Sequence, residues 1–364
     1  MQRNLGIDLL RGFSILFVVI HHLALKFRLP LGPSALGDFV SKRILNGISF
    51  NGYESVFIFF VLSGFLITQN CLQRYGALNQ IEWKAFYRQR FSRIFPLLAI
   101  LLIVLSVLHG LQVPGYVVQE KGQTLGRALI SALGLHLNWY EAQTTWLPPA
   151  WDVLWSLSIE EVFYLAFPVL CLLLPRHFLI LALLALALSL PWTRGAIVGN
   201  EIWQEKAYLP GMSAIAFGVL TALLAQKLTV SRGFARSLFV FGVTGIIGVF
   251  FFGAELWRTM ENFMMYILCI SACFLVFAAA QYPLRSTMGF GWLALMGRLS
   301  YEIYLTHMFI VLAVCTAYRS YFGDNMHWSY LTYVPVVVAC VLLGIVVERT
   351  ICGPSLRYLR AKLN

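Results

Sequence analysis

Charged residues make up only 12% of the 364 positions, and acidic residues number just 16. So little charge cannot cover the surface of a water-soluble protein of this length. The 59% hydrophobic content and mean hydropathy of +0.76 point the same way. Paired cysteine spacing is also missing. The seven cysteines (Cys71, Cys171, Cys269, Cys273, Cys315, Cys340 and Cys352) lie in apolar runs or at their ends, so neither a disulfide framework nor a metal site follows. Cys269 and Cys273 share a helix face, which ordinary packing explains. A cleavable leader is not expected, because Asp8 and Arg11 interrupt the first apolar run and no small-residue cleavage pattern follows it. No internal repeat is visible.

What is present is a succession of apolar runs close to the length that crosses a hydrocarbon core, about 20 residues for roughly 30 Å. Lipid offers the backbone no hydrogen-bond partners, so these runs are helices. The expected fold is an all-α integral membrane protein in one domain, 1–364, with about ten spans. They fall near 5–25, 52–72, 93–111, 157–174, 177–191, 210–226, 235–253, 262–280, 293–317 and 329–348. The stretch 125–137 is apolar but too short to cross, and reads as interfacial or re-entrant.

Basic residues set the orientation, because basic loops stay in the cytoplasm. With the N-terminus inside, 17 of the 27 lysines and arginines fall on inner segments. They are Arg3, Arg11, Arg74, Lys84, Arg88, Arg90, Arg93, Arg176, Lys227, Arg232, Arg236, Arg285, Arg298, Arg349, Arg357, Arg360 and Lys362. Both termini are then cytoplasmic, as an even number of spans requires. The net charge of +11 is concentrated on that face, where it meets anionic lipid headgroups or an anionic substrate rather than nucleic acid. Topology alone accounts for scattered basic residues. Arg88, Arg90 and Arg93 are packed more tightly than topology needs, and guanidinium suits bidentate contact with phosphate.

A charge at mid-membrane costs at least about 2.5–3.5 kcal/mol, so each one calls for a partner or a function. On the first span, Arg11 and His22 are eleven residues apart, close to three turns. They share a ridge and are separated by roughly 16 Å along the axis. His21 is rotated about 100° from that ridge. Asp8, one turn before Arg11, is placed to neutralise or orient it. An interhelical hydrogen bond is the simpler account of a membrane histidine. On the fourth span, Glu160 and Tyr164 share a face below Trp155, and Ser156 or Ser158 is placed to cap the helix. On the ninth, Tyr301, Tyr304 and His307 form a polar stripe at one-turn spacing.

Taken together, these stretches resemble the acyltransferase-3 family of membrane O-acyltransferases. The carriers are Arg11 and His22 with ten residues between them; Phe59-Phe60-Val61-Leu62-Ser63-Gly64-Phe65-Leu66; Arg90-Phe91-Ser92-Arg93-Ile94-Phe95-Pro96; Trp155 to Tyr164; and Ser300-Tyr301 through His307. The likeness covers nearly the whole chain and departs at Gln89, where an arginine is usual, and at Phe57, where an acid is common.

The resemblance implies transfer of an acyl group, acetyl by expectation, from cytoplasmic acyl-CoA to a hydroxyl of a cell-surface or exported glycan, at a bacterial inner membrane. Acyl-CoA would be a substrate rather than a resident cofactor, and no metal is expected. Arg11 and His22 are implied as the essential pair and Arg88, Arg90 and Arg93 as the grip on the CoA phosphates. His22 is expected to act as general base, oriented by Glu160, or else as an acylated nucleophile. Trp155, Tyr164, Tyr304 and His307 are expected to contact the acceptor. Some relatives carry an added extracytoplasmic esterase-like domain, which is not expected in this chain. A small-molecule or lipid acceptor, or a transporter without acyl chemistry, remain the alternative readings, and the oligomeric state stays open.

Overall fold

A computed structural model describes residues 4–286 and 289–361, the last three by backbone only. Arg3, Lys362 and the side chain of Arg360, all assigned above to the inner face, lie outside the described residues. Among the described residues every regular element is helical. Ten helices have 13 residues or more: α1 (Leu5–Ala24), α2 (Gly52–Tyr75), α3 (Trp83–Gly110), α4 (Trp155–Leu173), α5 (Arg176–Leu188), α6 (Tyr208–Lys227), α7 (Arg232–Met260), α8 (Met264–Gln281), α9 (Ser300–Phe322) and α10 (Tyr333–Val347).

Among the described residues, eight segments are long and apolar enough to cross a membrane, and one of them, the 50-residue stretch Arg232–Gln281, contains both α7 and α8. Helix α5, with 13 residues, reaches only about 20 Å and falls short of a full span by itself. The 125–137 stretch holds a nine-residue helix, Leu125–Leu133, started by the Thr124 side chain.

Several boundaries differ from those that hydropathy gives. The third apolar run starts at residue 93, yet α3 begins at Trp83 and carries all three arginines within its first three turns. Hydropathy marks where lipid begins, whereas the helix ends only where the backbone meets a breaker, and arginine and glutamine are good helix formers. The ninth expected span, 293–317, is interrupted at Leu299 (φ −95°, ψ 12°), which separates the short helix Gly291–Arg298 from α9. Ser156 and Ser158 do not cap α4, because the helix starts at Trp155 with no side-chain cap and both serines are buried inside it.

Two compact units make up the chain. Residues 1–59 and 228–346 form the first, and residues 60–227 and 347–364 the second. In the first, Asn4 caps α1 by accepting from the backbone N–H groups of Gly6 and Ile7. Helix α1 then packs so closely on Gly291–Arg298 that a Cβ at Gly12 would lie 1.9 Å from the Leu293 carbonyl oxygen, and one at Gly297 would lie 1.8 Å from that of Asp8.

In the second unit, α2 and α6 touch backbone to backbone. A Cβ at Gly64 would stand 1.9 Å from the Ile215 carbonyl oxygen, and one at Gly218 would stand 1.9 Å from that of Val61. Small residues allow this approach, which supplies the dispersion contacts that hold helices together in lipid. Gly64 of the Phe59–Leu66 motif is therefore a packing residue. Gly64→Val is expected to destabilise the fold by at least about 1–3 kcal/mol, the usual cost of overpacking. The thermal midpoint in detergent would show it, while Gly248→Ala, on α7 with open space around its Cα, should hold or raise the midpoint.

Candidate active site

The first unit brings together the α1 ridge and α9. Arg11 donates from Nη2 to Ser300 Oγ at 2.7 Å, and the rings of His22 and His307 lie 5.1 Å apart. Ser300 and His307 are seven residues apart, two turns of α9, so Arg11 and His22 meet the same face of one helix. The break at Leu299 makes Ser300 the first residue of α9. His21 points elsewhere. Its ring packs at Gly52, where a Cβ would lie 2.5 Å from His21 Cγ.

The two imidazoles present different nitrogens. His307 is fully buried, and its Nδ1 lies 2.7 Å from the Tyr304 carbonyl oxygen and 3.2 Å from that of Ile303. Carbonyl oxygens only accept, so Nδ1 carries the hydrogen and Nε2 holds the lone pair. That Nε2 has no hydrogen-bond partner among the described residues. His22 faces the opposite kind of group. Arg28 donates to the His22 carbonyl oxygen and sits with Nη1 3.4 Å from His22 Nδ1. A guanidinium has no acceptor, so a hydrogen bond between these two groups requires Nδ1 to be the unprotonated nitrogen of His22, with the ring hydrogen on Nε2. Arg319 of α9 fixes the turn that bears Arg28, donating to the carbonyl oxygens of Phe27 and Arg28. Tyr304 stands with its ring 6.0 Å from that of His307.

The second unit holds Glu160. Its Oε1 accepts from Ser63 Oγ and from the Tyr164 hydroxyl, each at 2.6 Å. Arg90 stacks its guanidinium 3.9 Å from the centre of the Tyr164 ring. Of the three arginines, Arg88 and Arg93 are exposed, while Arg90 turns toward α4. A 3.6-residue period cannot place 88, 90 and 93 on one stripe, since Arg88 and Arg90 are about 200° apart. Trp155 is buried edge-on to Phe60, with ring centres 6.1 Å apart. The predicted site residues thus form two groups. Arg11, His22, Tyr304 and His307 lie in the first unit, and Arg88, Arg90, Arg93, Trp155, Glu160 and Tyr164 in the second.

The sequence pattern of the acyltransferase-3 family, described as an acyltransferase domain, matches residues 4–348. The chain belongs to this family. It is 26% identical over 365 residues to O-acetyltransferase OatA of Staphylococcus aureus strain NCTC 8325, an alignment covering 93% of this chain and 55% of OatA. The same figures hold for OatA of strain COL. A protein of strain COL provisionally named as an O-acetyltransferase is 31% identical over 173 residues, 45% of this chain and 24% of its own length. The chain thus spans about half the length of the OatA relatives it matches. No solved structure matches it.

Two features of this family member carry no signal in the sequence. Arg28 reads there as one more basic residue past the end of a span, yet it is only 4% exposed. The other is a buried ionic triad in the second unit. The ammonium of Lys206 pairs with Glu141 Oε2 at 2.8 Å and with Asp152 Oδ1. Glu141 Oε1 accepts from the Leu147 backbone N–H at 3.0 Å, and Asn138 donates to the Lys206 carbonyl oxygen. Burial, with the Asp152 charge adding to it, holds the Glu141 carboxyl well above its ordinary range against the pull of Lys206. Charges on separate short helices, 54 and 65 residues from their partner, form no pattern in a linear sequence, which is why periodicity does not reveal the triad.

Proposed function

We propose that this chain is a membrane O-acetyltransferase that moves an acetyl group from cytoplasmic acyl-CoA to a hydroxyl of a cell-surface or exported glycan. It would cross the bacterial inner membrane ten times, with both termini in the cytoplasm. The observation that carries the reading is the histidine pair, because its nitrogens supply what acyl transfer to a hydroxyl requires.

The free Nε2 of His307 takes the proton of the acceptor hydroxyl as that oxygen attacks the thioester carbonyl. The Nε2 hydrogen of His22 meets the opposite requirement, donating to the carbonyl oxygen as it becomes an oxyanion. When the carbon–sulfur bond breaks, the CoA thiolate leaves and the His307 imidazolium returns its proton to it. This differs from the sequence reading, in which His22 is the base, and the reason is Arg28, which can only donate to His22 Nδ1. Arg11, anchored on Ser300, holds the α1 and α9 faces in register beneath the pair. Tyr304 lines the acceptor side.

Arg88 and Arg93, both exposed, hold the CoA phosphates. Arg90 joins them to Glu160 through Tyr164, with Trp155 packed alongside. Purified protein should transfer label from acetyl-CoA to a hydroxyl acceptor. The paired change Arg88→Ala with Arg93→Ala should raise the KM for acetyl-CoA roughly tenfold or more, the worth of a charge-assisted contact or two. A short acetyl thioester lacking the nucleotide should be affected far less. If both donors suffer equally, the two arginines serve folding or topology instead of phosphate binding.

A further inference from the structure

Helix α3 has two ends of different character. Its first turns carry Arg88, Arg90 and Arg93, and its 28 residues carry the chain about 42 Å, more than a bilayer core, before it stops at Gly110. Just past that end, and within the same unit, a cavity of about 480 Å³ opens between the turn 112–120 and the segment 146–149. Its size falls in the range of small-ligand sites, about 300–1,000 Å³.

The lining mixes one indole with pyrrolidine rings, neutral amides and a carboxylate: Trp146, Pro148 and Pro149 from the segment 146–149, and Gln112, Gln119 and Glu120 from the turn 112–120. Trp146 is 43% exposed and is not free to swing. The Lys206 ammonium sits 4.1 Å from the centre of its ring, and Lys206 is itself buried and held by Glu141 and Asp152. Glu141 also takes the Leu147 N–H, and Gln123 donates to the carbonyl oxygens of Thr145 and Trp146. The buried triad therefore fixes the wall that presents the indole. A rigid aromatic platform faced by groups that both donate and accept suits a ring that is apolar on its face and ringed by hydroxyls. The single charge on the lining, Glu120, disfavours an anionic occupant.

We propose that this cavity docks a neutral saccharide unit of the acceptor, stacked on Trp146 and hydrogen-bonded by Gln112, Gln119 and Glu120. The proposal rests on the O-acetyltransferase reading for its biological sense and extends it by assigning the acceptor to the end of α3 opposite the arginines.

The test uses the full chain in lipid nanodiscs. Oligosaccharides are released by mild acid from the envelope of the cells that make the protein and split by anion exchange into neutral and anionic fractions. Binding is read by saturation-transfer NMR, with no turnover needed. The neutral fraction should bind, Trp146→Ala should weaken that binding about tenfold or more, and Trp146→Phe should restore most of it. Because Trp146 covers Lys206, Gln119→Ala on the exposed turn provides a second variant, expected to weaken binding several-fold with an unchanged thermal midpoint. The proposal is overturned if no saccharide binds, if the anionic fraction binds in preference, or if neutral saccharides bind both Trp146→Ala and Gln119→Ala as well as the parent. Failure of the acetyl-transfer reading looks different: no label would leave acetyl-CoA for any hydroxyl, whatever the saccharides do.

Discussion

Replacing His307 with glutamine is expected to lower kcat by about a hundredfold to ten-thousandfold, the range for losing a general base, with KM for acetyl-CoA little changed. The amide of glutamine cannot take up a proton near neutral pH, so size and polarity survive while the lone-pair base is lost. The matched change at His22 should be milder. A glutamine there keeps an N–H donor where the imidazole Nε2 hydrogen was. His22→Gln should therefore retain more activity than His22→Ala, which forfeits the donor and by comparison with oxyanion-hole deletions loses roughly a hundredfold to a thousandfold. His21→Ala, on the Gly52 side of α1, should leave substantial activity. Steady-state kinetics on these variants and the parent checks the assignment. If His22→Gln is as inactive as His307→Gln or more so, the base is His22 and the tautomer argument fails.

The second large effect is one of sidedness. In proteoliposomes sorted for a single orientation, acetyl-CoA supplied only on the side to which the proposed topology assigns both termini should acetylate an impermeant sugar supplied only on the other side. With the two substrates exchanged, product should fall to background. The motive is the order along α1, where His22 lies roughly 16 Å beyond Arg11 toward the opposite face and is joined there by Arg28 and His307. Product that forms only when both substrates share the terminus side would rule out transfer across the bilayer and require the acceptor to be modified before export.

Much of this is legible in the chain itself. The shared ridge of Arg11 and His22 follows from a period of 3.6 residues, and the structure sets both against one face of α9. Likewise Glu160 and Tyr164, four residues apart, share a hydrogen bond. Local periodicity is reliable for such pairs because a single helix determines it. The grouping of Arg88, Arg90 and Arg93 is less secure, since nearness in sequence is not a shared direction and Arg90 is drawn aside by the Tyr164 ring.

Composition and periodicity alone determined that the chain is helical, that it belongs in a membrane, and which residues share a ridge, because lipid leaves the backbone one local solution and a helix repeats its faces by rule. Only the tertiary structure decided where helices break and what the polar side chains meet. The interruption at Leu299 has no hydropathy signal. The tautomers of His22 and His307 depend on an arginine beyond the end of α1 and on two carbonyl oxygens of α9. The Lys206 triad joins residues 54 and 65 positions apart. The triad is settled by contacts between segments distant in sequence, whereas the helix break and the two tautomers are settled by the local path of the backbone around Leu299, past the end of α1 and along α9. In both cases the energy of a buried charge or an unshared lone pair depends on a partner that the linear chain does not reveal.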